Sequence, residues 1–251
     1  MPIVLVHGNP ETDAIWADLR AHLGTDDVVA LSPPGFGAPA ERDFGATSDD
    51  YVAWLGRELE AIDGPIDLVG HDWGGGHVLR LVLSRPELVR SWVTDIAGAF
   101  DPTYVWHERA QMWQTPELGE AAIAQQLAAT PAQLTERYLD LGMSAAAAAS
   151  CAAAFNQDMG RCILALYRSA VQPKLATWGA DLTAARAKPG LVIVASDDQY
   201  TGGEARARHT AERTNARVTV LDGLGHWWMA EDPARSARVL TAFWRARAWS
   251  A

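Results

Sequence analysis

Short apolar runs alternate along this chain with longer segments in which hydrophobic residues recur every three or four positions. Ile3 to Val6, Asp27 to Leu31, Ile66 to Val69 and Ser91 to Ile96 are runs of the first kind and predict buried strands. Segments of the second kind, at about 14 to 21 and 50 to 62, predict helices. So does the stretch after Trp73, where Val78, Leu79, Leu81, Val82 and Leu83 precede the stop at Arg85-Pro86. Strands that are apolar on both faces and separated by helices predict a mostly parallel sheet covered on both sides. From Phe100 to about Lys188 the strand pattern stops. That stretch is helical in composition, with Pro102, Pro116, Pro131 and Pro173 as punctuation and an alanine-rich patch from Ser144 to Ala154. It predicts a helical insertion over 101–188 between core segments 1–100 and 189–251. Strands resume at Leu191 to Val194 and Val218 to Leu221, and an amphipathic helix is expected from about Pro233 to Trp249.

Composition narrows the partners. The 251 residues are 49% hydrophobic and 21% charged, as expected of one soluble globular unit with an insertion. With 31 acidic against 21 basic residues the formal net charge is -10, which argues against a nucleic-acid backbone as partner. No apolar run approaches the roughly 18 to 20 residues of a membrane helix. Met1-Pro2 leads directly into the first strand without a basic leader, so a cytoplasmic location is expected. Cys151 and Cys162 lie in the helical stretch and predict reduced, buried thiols rather than a disulfide or a zinc site. Gly35-Phe36-Gly37 predicts a structural turn, since no Lys follows to make a phosphate loop. Eleven tryptophans are about three times an average share.

The segment Gly70-His71-Asp72-Trp73-Gly74-Gly75 follows a predicted strand and opens a predicted helix. A reactive side chain on so sharp a turn needs small neighbours, which Gly70, Gly74 and Gly75 supply. The residue at the apex is Asp72. An Asp before a helix also serves as a plain N-cap, but the flanking glycines and the preceding strand favour the reactive reading.

With these residues the chain resembles the α/β-hydrolase fold, and within it the haloalkane dehalogenase and epoxide hydrolase branch. His7-Gly8-Asn9-Pro10, after the first strand, is similar to the turn that supplies one oxyanion-hole N–H. Asp72 stands at the nucleophile position. Leu224-Gly225-His226-Trp227-Trp228 is similar to the loop that carries the catalytic base, His226. The resemblance implies a cofactor-free hydrolase with no metal, a small apolar substrate, and a helical cap over 101–188. It also implies a sheet of about six strands lacking the first edge strands, whose exposed edge a second subunit could cover to make a homodimer.

An Asp nucleophile narrows the chemistry further. Displacement at saturated carbon by a Ser hydroxyl leaves an ether, which water does not readily remove; a carboxylate leaves an ester, which water activated by His226 can hydrolyse. The backbone N–H groups of Asn9 and Trp73 would hold the oxyanion. Attack on a substrate ester would instead generate an anhydride, so carboxylesterase chemistry is the weaker reading. His226 needs an orienting acid. Asp198, at the end of the Leu191 to Val194 strand, is favoured; Asp95, near the end of the strand that begins at Ser91, resembles the acid of one dehalogenase subgroup; Asp197 trails both.

The leaving group has competing signals. The Asn9 side chain and the Trp73 indole match the halide donors of dehalogenases, although Asn9 would also suit a turn. Leu166-Tyr167-Arg168 is similar to the epoxide-hydrolase cap segment that supplies a proton-donating Tyr, with Tyr104 or Tyr138 as its partner; Tyr167 on a helical stripe also suits a core position. A haloalkane dehalogenase is favoured and an epoxide hydrolase is the alternative. Ester or lactone hydrolysis, a lyase that leaves Asp72 idle, and a non-catalytic ligand binder are further alternatives. His71 is expected to support the turn, and His77 and His107 to be plain helix histidines. Trp106, Trp113, Phe100 and Phe155 are candidates for either pocket lining or core.

Overall fold

The computed structural model describes residues 1–246. Strands β1 (Ile3–Val6), β2 (Val28–Leu31), β3 (Ile66–Gly70), β4 (Val89–Thr94), β5 (Gly190–Ala195) and β6 (Arg217–Leu221) form one sheet in the order β2-β1-β3-β4-β5-β6, with every pairing parallel. The expected strands are all present. β4 ends at Thr94 rather than Ile96, because Ile96 already leads into a 3-10 turn at Ala97–Phe100.

Alternation along each strand divides the core in two. Val4, Val6, Leu68, Val192 and Val194 face one layer, while Ile3, Leu5, Val69, Leu191 and Ile193 face the other. The helices of the sheet region are α1 (Ala17–His22), α2 (Ser48–Glu60) and α3 (Trp73–Ser84). Between β4 and β5 come α4 (Glu108–Gln114), α5 (Leu118–Ala128), α6 (Pro131–Asp140), α7 (Ala145–Ala154), α8 (Gln157–Arg168) and α9 (Lys174–Thr177), with no strand among the described residues of that stretch. The chain returns through α10 (Gly203–Thr214), α11 (Trp228–Glu231) and α12 (Pro233–Arg245). The expected extension of the last helix to Trp249 lies outside the described residues. Among the described residues no helix is long and apolar enough to cross a membrane.

The strand order locates the site. From β1 the chain crosses to β2 on one side, then returns to place β3 on the other side of β1. Crossovers diverge at such a switch point and leave a crevice beyond the carboxyl ends of the strands. His7 to Asn9 leave β1 there, and Asp72 leaves β3 beside them.

The turn after β3 needs its glycines. A Cβ on Gly70 would lie 2.5 Å from the Gly74 carbonyl oxygen, and one on Gly74 would lie 2.6 Å from the His7 carbonyl oxygen and overlap that of Val6. A Cβ on Gly76, two residues further along the same helix, would meet nothing within 4 Å. Gly74→Ala should therefore destabilise the fold by about 1–3 kcal/mol through forced backbone displacement, whereas Gly76→Ala should gain about 0.5–1 kcal/mol through the helix preference for alanine. Urea unfolding of the two variants checks the pair; equal shifts would mean that the turn is not tight.

Candidate active site

Asp72 adopts φ 48° and ψ -128°, a conformation that L residues rarely hold. It is the bend between β3 and α3, and it turns the carboxylate toward β1. The Asn9 backbone N–H donates to Asp72 Oδ2 at 3.2 Å, and the Trp73 N–H also supports the carboxylate charge. Asp72 is only 7% exposed. Burial pushes its carboxyl up to about 6; the Glu11 charge adds to the rise, and the His226 and His71 charges oppose it.

His226 Nδ1 bonds Asp198 Oδ2 at 2.8 Å. Asp198 is fixed in turn by the Tyr200 backbone N–H, which donates to its Oδ1 at 2.7 Å. Against the burial that lowers it, the Asp198 charge lifts the His226 imidazole above its ordinary value. The same pairing holds the Asp198 carboxyl below its ordinary value despite burial. Asp197, by contrast, is exposed and accepts only the neighbouring Ser196 hydroxyl.

Asp95 does not reach His226 in this arrangement, because its oxygens are otherwise engaged. Oδ1 accepts the Asp72 backbone N–H at 3.0 Å, and Oδ2 accepts His71 Nδ1 at 2.5 Å and the Trp228 indole N–H at 2.7 Å. The expectation of Asp95 as alternative partner of the base is corrected accordingly: it holds the elbow from below.

His71 does more than support a turn. Its second nitrogen, Nε2, lies 3.2 Å from Glu11 Oε1, so the ring bridges two buried carboxylates. Although burial alone would lower it, the Asp95 and Glu11 charges raise the His71 pKa well above the ordinary value, which favours an imidazolium whose two N–H groups face one carboxylate oxygen each. Glu11 also accepts the Gly8 backbone N–H at 2.9 Å and the Trp227 indole N–H at 2.6 Å. Despite burial, the His71 charge and hydrogen bond hold its carboxyl down at about 2. Sequence reasoning missed Glu11. Its signal was a carboxylate directly after the Asn9-Pro10 turn, and two indoles beside His226 that would need buried acceptors.

The ligand atoms of Glu11, His71 and His226 lie within 4.8 Å of one another, close enough to share a cation. Because each Glu11 oxygen already accepts hydrogen bonds and His71 is itself charged, this donor set is a hydrogen-bonded charge cluster and suits no metal.

Two candidate donors have no partner among the described residues. Both atoms of the Asn9 side-chain amide and the Trp73 indole Nε1 are buried without a hydrogen bond. Asn9 thus does not serve the turn through its side chain. Trp73 packs face to face with Trp106 at 5.3 Å and edge-on to Tyr167 at 5.1 Å.

A pocket of about 470 Å³, including its open mouth, lies over Asp72. Asn9, Asp72 and His226 form its floor, and Trp113, Tyr138 and Tyr167 from the inserted helices are among its walls. Of the four aromatics in question, only Trp113 lines it. Trp106 donates its indole N–H to the Ala170 carbonyl, Phe100 is core, and Phe155 packs between the two core layers. Tyr104 donates its hydroxyl to the Tyr200 carbonyl, whereas the Tyr138 hydroxyl is buried without a partner among the described residues. His107 is a pocket residue rather than a plain helix one: it caps α4, accepting the Ala110 N–H, and stands in the lining. His77 is buried in α3, stacked on Tyr51 at 5.1 Å, and burial holds its pKa down at about 3.

Fold and site together match one protein family. The chain belongs to the alpha/beta hydrolase family, whose model matches residues 3–239. Among curated relatives, a haloalkane dehalogenase of Mesorhizobium japonicum is 26% identical over 48% of this chain and 42% of its own length. A lipase, LipV of Mycobacterium tuberculosis, is 32% identical over 52% of this chain and 50% of its own length. The chain thus spans about half the length of the curated relatives it matches. A solved loop variant of haloalkane dehalogenase DbeA from Bradyrhizobium elkanii superposes over 98% of this chain and 91% of that one, with a TM-score of 0.73 and 20% identity, a likeness of fold.

The charge cluster predicts its own fragility. Glu11→Ala leaves a buried imidazolium with one acid fewer and should cost about 3–5 kcal/mol. Because the Glu11 carboxyl is depressed in the folded state, from 4.5 to about 2, its contribution is full above pH 4.5 and fades as the pH falls toward 2. The gap between wild type and variant should therefore be widest near pH 6 and narrower at pH 3, as measured by urea midpoints; a gap independent of pH would place the loss in packing instead.

Proposed function

We propose that this protein is a hydrolase of the dehalogenase type, in which Asp72 attacks a saturated carbon bearing a halogen. The observation that carries the reading is the Asp72 carboxylate at a strained elbow, facing two backbone N–H groups and standing near a His226–Asp198 pair. A carboxylate oxygen forms the new C–O bond, the carbon–halogen bond breaks, and the halide departs with the electron pair. His226 Nε2 then takes a proton from water as the water oxygen attacks the ester carbonyl. The Asn9 and Trp73 backbone N–H groups hold the resulting oxyanion until it collapses, the C–O bond to the alkyl group's oxygen breaks with His226 returning its proton to that oxygen, and the regenerated Asp72 carboxyl releases its proton to solvent. Asp198 keeps His226 in the tautomer that accepts at Nε2 and stabilises the imidazolium that forms.

The unpartnered Asn9 amide supports halide as the leaving group. A halide takes hydrogen bonds but needs no proton, and the Asn9 amide is a buried N–H donor without a partner in the pocket lining, whereas the Trp73 indole, packed against Trp106 and Tyr167, is not among the lining residues. In this reading residues 101–188 act as a cap whose Trp113, Leu141 and Met143 side chains help exclude water from the nucleophile. The likeness to a haloalkane dehalogenase agrees with it. The likeness to a lipase does not carry over readily, since an Asp nucleophile acting on an ester would form an anhydride. A second reading, epoxide hydrolysis, is favoured by the pair of phenols, Tyr138 and Tyr167, that line the pocket over Asp72 and could donate to an opening oxygen.

His226→Gln should arrest the reaction at the ester. Intact-protein and peptide mass spectrometry after incubation with 1-haloalkanes should show one alkyl group on Asp72; an adduct with epoxides alone would transfer the proposal to the second reading, and none with either would refute carbon attack. For the unmodified protein, kcat/KM should fall about tenfold per pH unit below about 6 as Asp72 is protonated, and be flat on that limb above it. A profile without an acid limb near 6 would mean that Asp72 is not the group titrating.

A further inference from the structure

The pocket over Asp72 opens beside a second groove, of about 870 Å³, on the inserted helices. The two share Arg109, Trp113, Tyr138 and Leu141, so pocket and groove adjoin along one wall. The lining is unevenly charged. Its inner end holds Asp72, with Glu11 and Asp198 behind. At the shared wall and in the groove stand Arg109 and Arg137, with Asp140 as the only carboxylate lining the groove among the described residues. Neither guanidinium has a hydrogen bond or ion pair among the described residues, although the chain carries ten more acidic than basic groups. On the shared wall, which also carries Arg109, the Tyr138 hydroxyl is buried and has no partner among the described residues.

An apolar substrate gives these groups nothing to do. A buried phenol O–H without an acceptor costs about 1–3 kcal/mol, a penalty that a bound acceptor would remove. A guanidinium fork with a phenol O–H beside it is a donor set, and the planar two-oxygen anion that it matches is a carboxylate. The charge of Arg109 is felt along this wall: it opposes the burial that raises the pKa of Tyr138 and Tyr167, and adds to the burial that lowers that of His107.

We infer that the substrate has an apolar body ending in a carboxylate, which Arg109 and the Tyr138 hydroxyl bind, with Arg137 at the outer side, while the carbon to be attacked is presented to Asp72. This builds on the carbon-attack reading above and adds the substrate class. Arg109 is then a specificity residue. Its pairing with the distal anion is the same in ground and transition states, so its removal should appear in KM rather than kcat. It would also offset the repulsion that a strongly acidic protein exerts on an anionic substrate.

Binding separates this inference from the chemistry. Titration of the protein with unreactive straight-chain alkanoates and with primary alcohols of equal chain length, followed by tryptophan fluorescence, should show the alkanoate binding about 10–100-fold more tightly. Arg109→Gln should abolish that preference, and Arg109→Lys should retain part of it; the side chain is exposed and unpaired, so both variants should fold. Equal affinity for acid and alcohol, no measurable alkanoate binding, or a preference that survives in Arg109→Gln would overturn the carboxylate site. If the site holds and the carbon-attack reading also holds, ω-halocarboxylates should exceed matched 1-haloalkanes in kcat/KM, with the ratio collapsing through KM in Arg109→Gln. A failure of His226→Gln to accumulate any adduct would remove the carbon-attack reading and leave the alkanoate result standing.

Discussion

One buried cation ties the site together. His71, fully enclosed, bridges Asp95 after β4 and Glu11 after β1, and each acid holds further groups. Asp95 takes the Asp72 backbone N–H and the Trp228 indole; Glu11 takes the Gly8 backbone N–H and the Trp227 indole. Three separate loops, following β1, β3 and β6, therefore meet on a single charge cluster with β4. A buried imidazolium without such partners would cost several kcal/mol, and each of these acids would be equally expensive alone. Their mutual dependence explains how the chain keeps Asp72 at a backbone conformation that costs energy.

The same cluster sets the electrostatics above it. Asp72 and Asp198 are both buried carboxylates, yet burial and Glu11 push one up to about 6, while the His226 charge holds the other below its ordinary value. His226 lies between opposing influences, lowered by burial and by the His71 ring 4.5 Å away and raised by Asp198. Environments that drive chemically identical groups apart are what acid–base chemistry at neutral pH requires. The proposed division of labour, one carboxylate as nucleophile and the other as orienting acid, follows from which hydrogen bonds each one accepts.

In the proposed reading the inserted helices contribute recognition rather than reactive groups. Their aromatic residues mostly pack on one another and on Trp73, and Trp113, Tyr138 and Tyr167 are the aromatics they turn into the pocket. The tryptophan excess thus has three uses: core filling, as in Trp16 and Trp92; acceptor-seeking indoles around the charge cluster, as in Trp227 and Trp228; and pocket wall, as in Trp113. The inferred carboxylate site would place specificity in the polar groups on the wall that the two cavities share.

The sequence by itself determined the strands, their parallel packing and the turn that carries Asp72. Apolar periodicity and the glycine pattern around residues 70 to 75 are local properties, each set by what one short segment can bury or bend. It also carried the order of the motifs around Asn9, Asp72 and His226. Only the tertiary structure decided between Asp198 and Asp95, because both follow strand ends at suitable positions and the choice rests on where a third segment places His226. Glu11 was illegible for the same reason. Its meaning depends on partners far away in the chain, His71 and Trp227. A hydrogen bond across such a distance leaves no periodicity in the sequence to read.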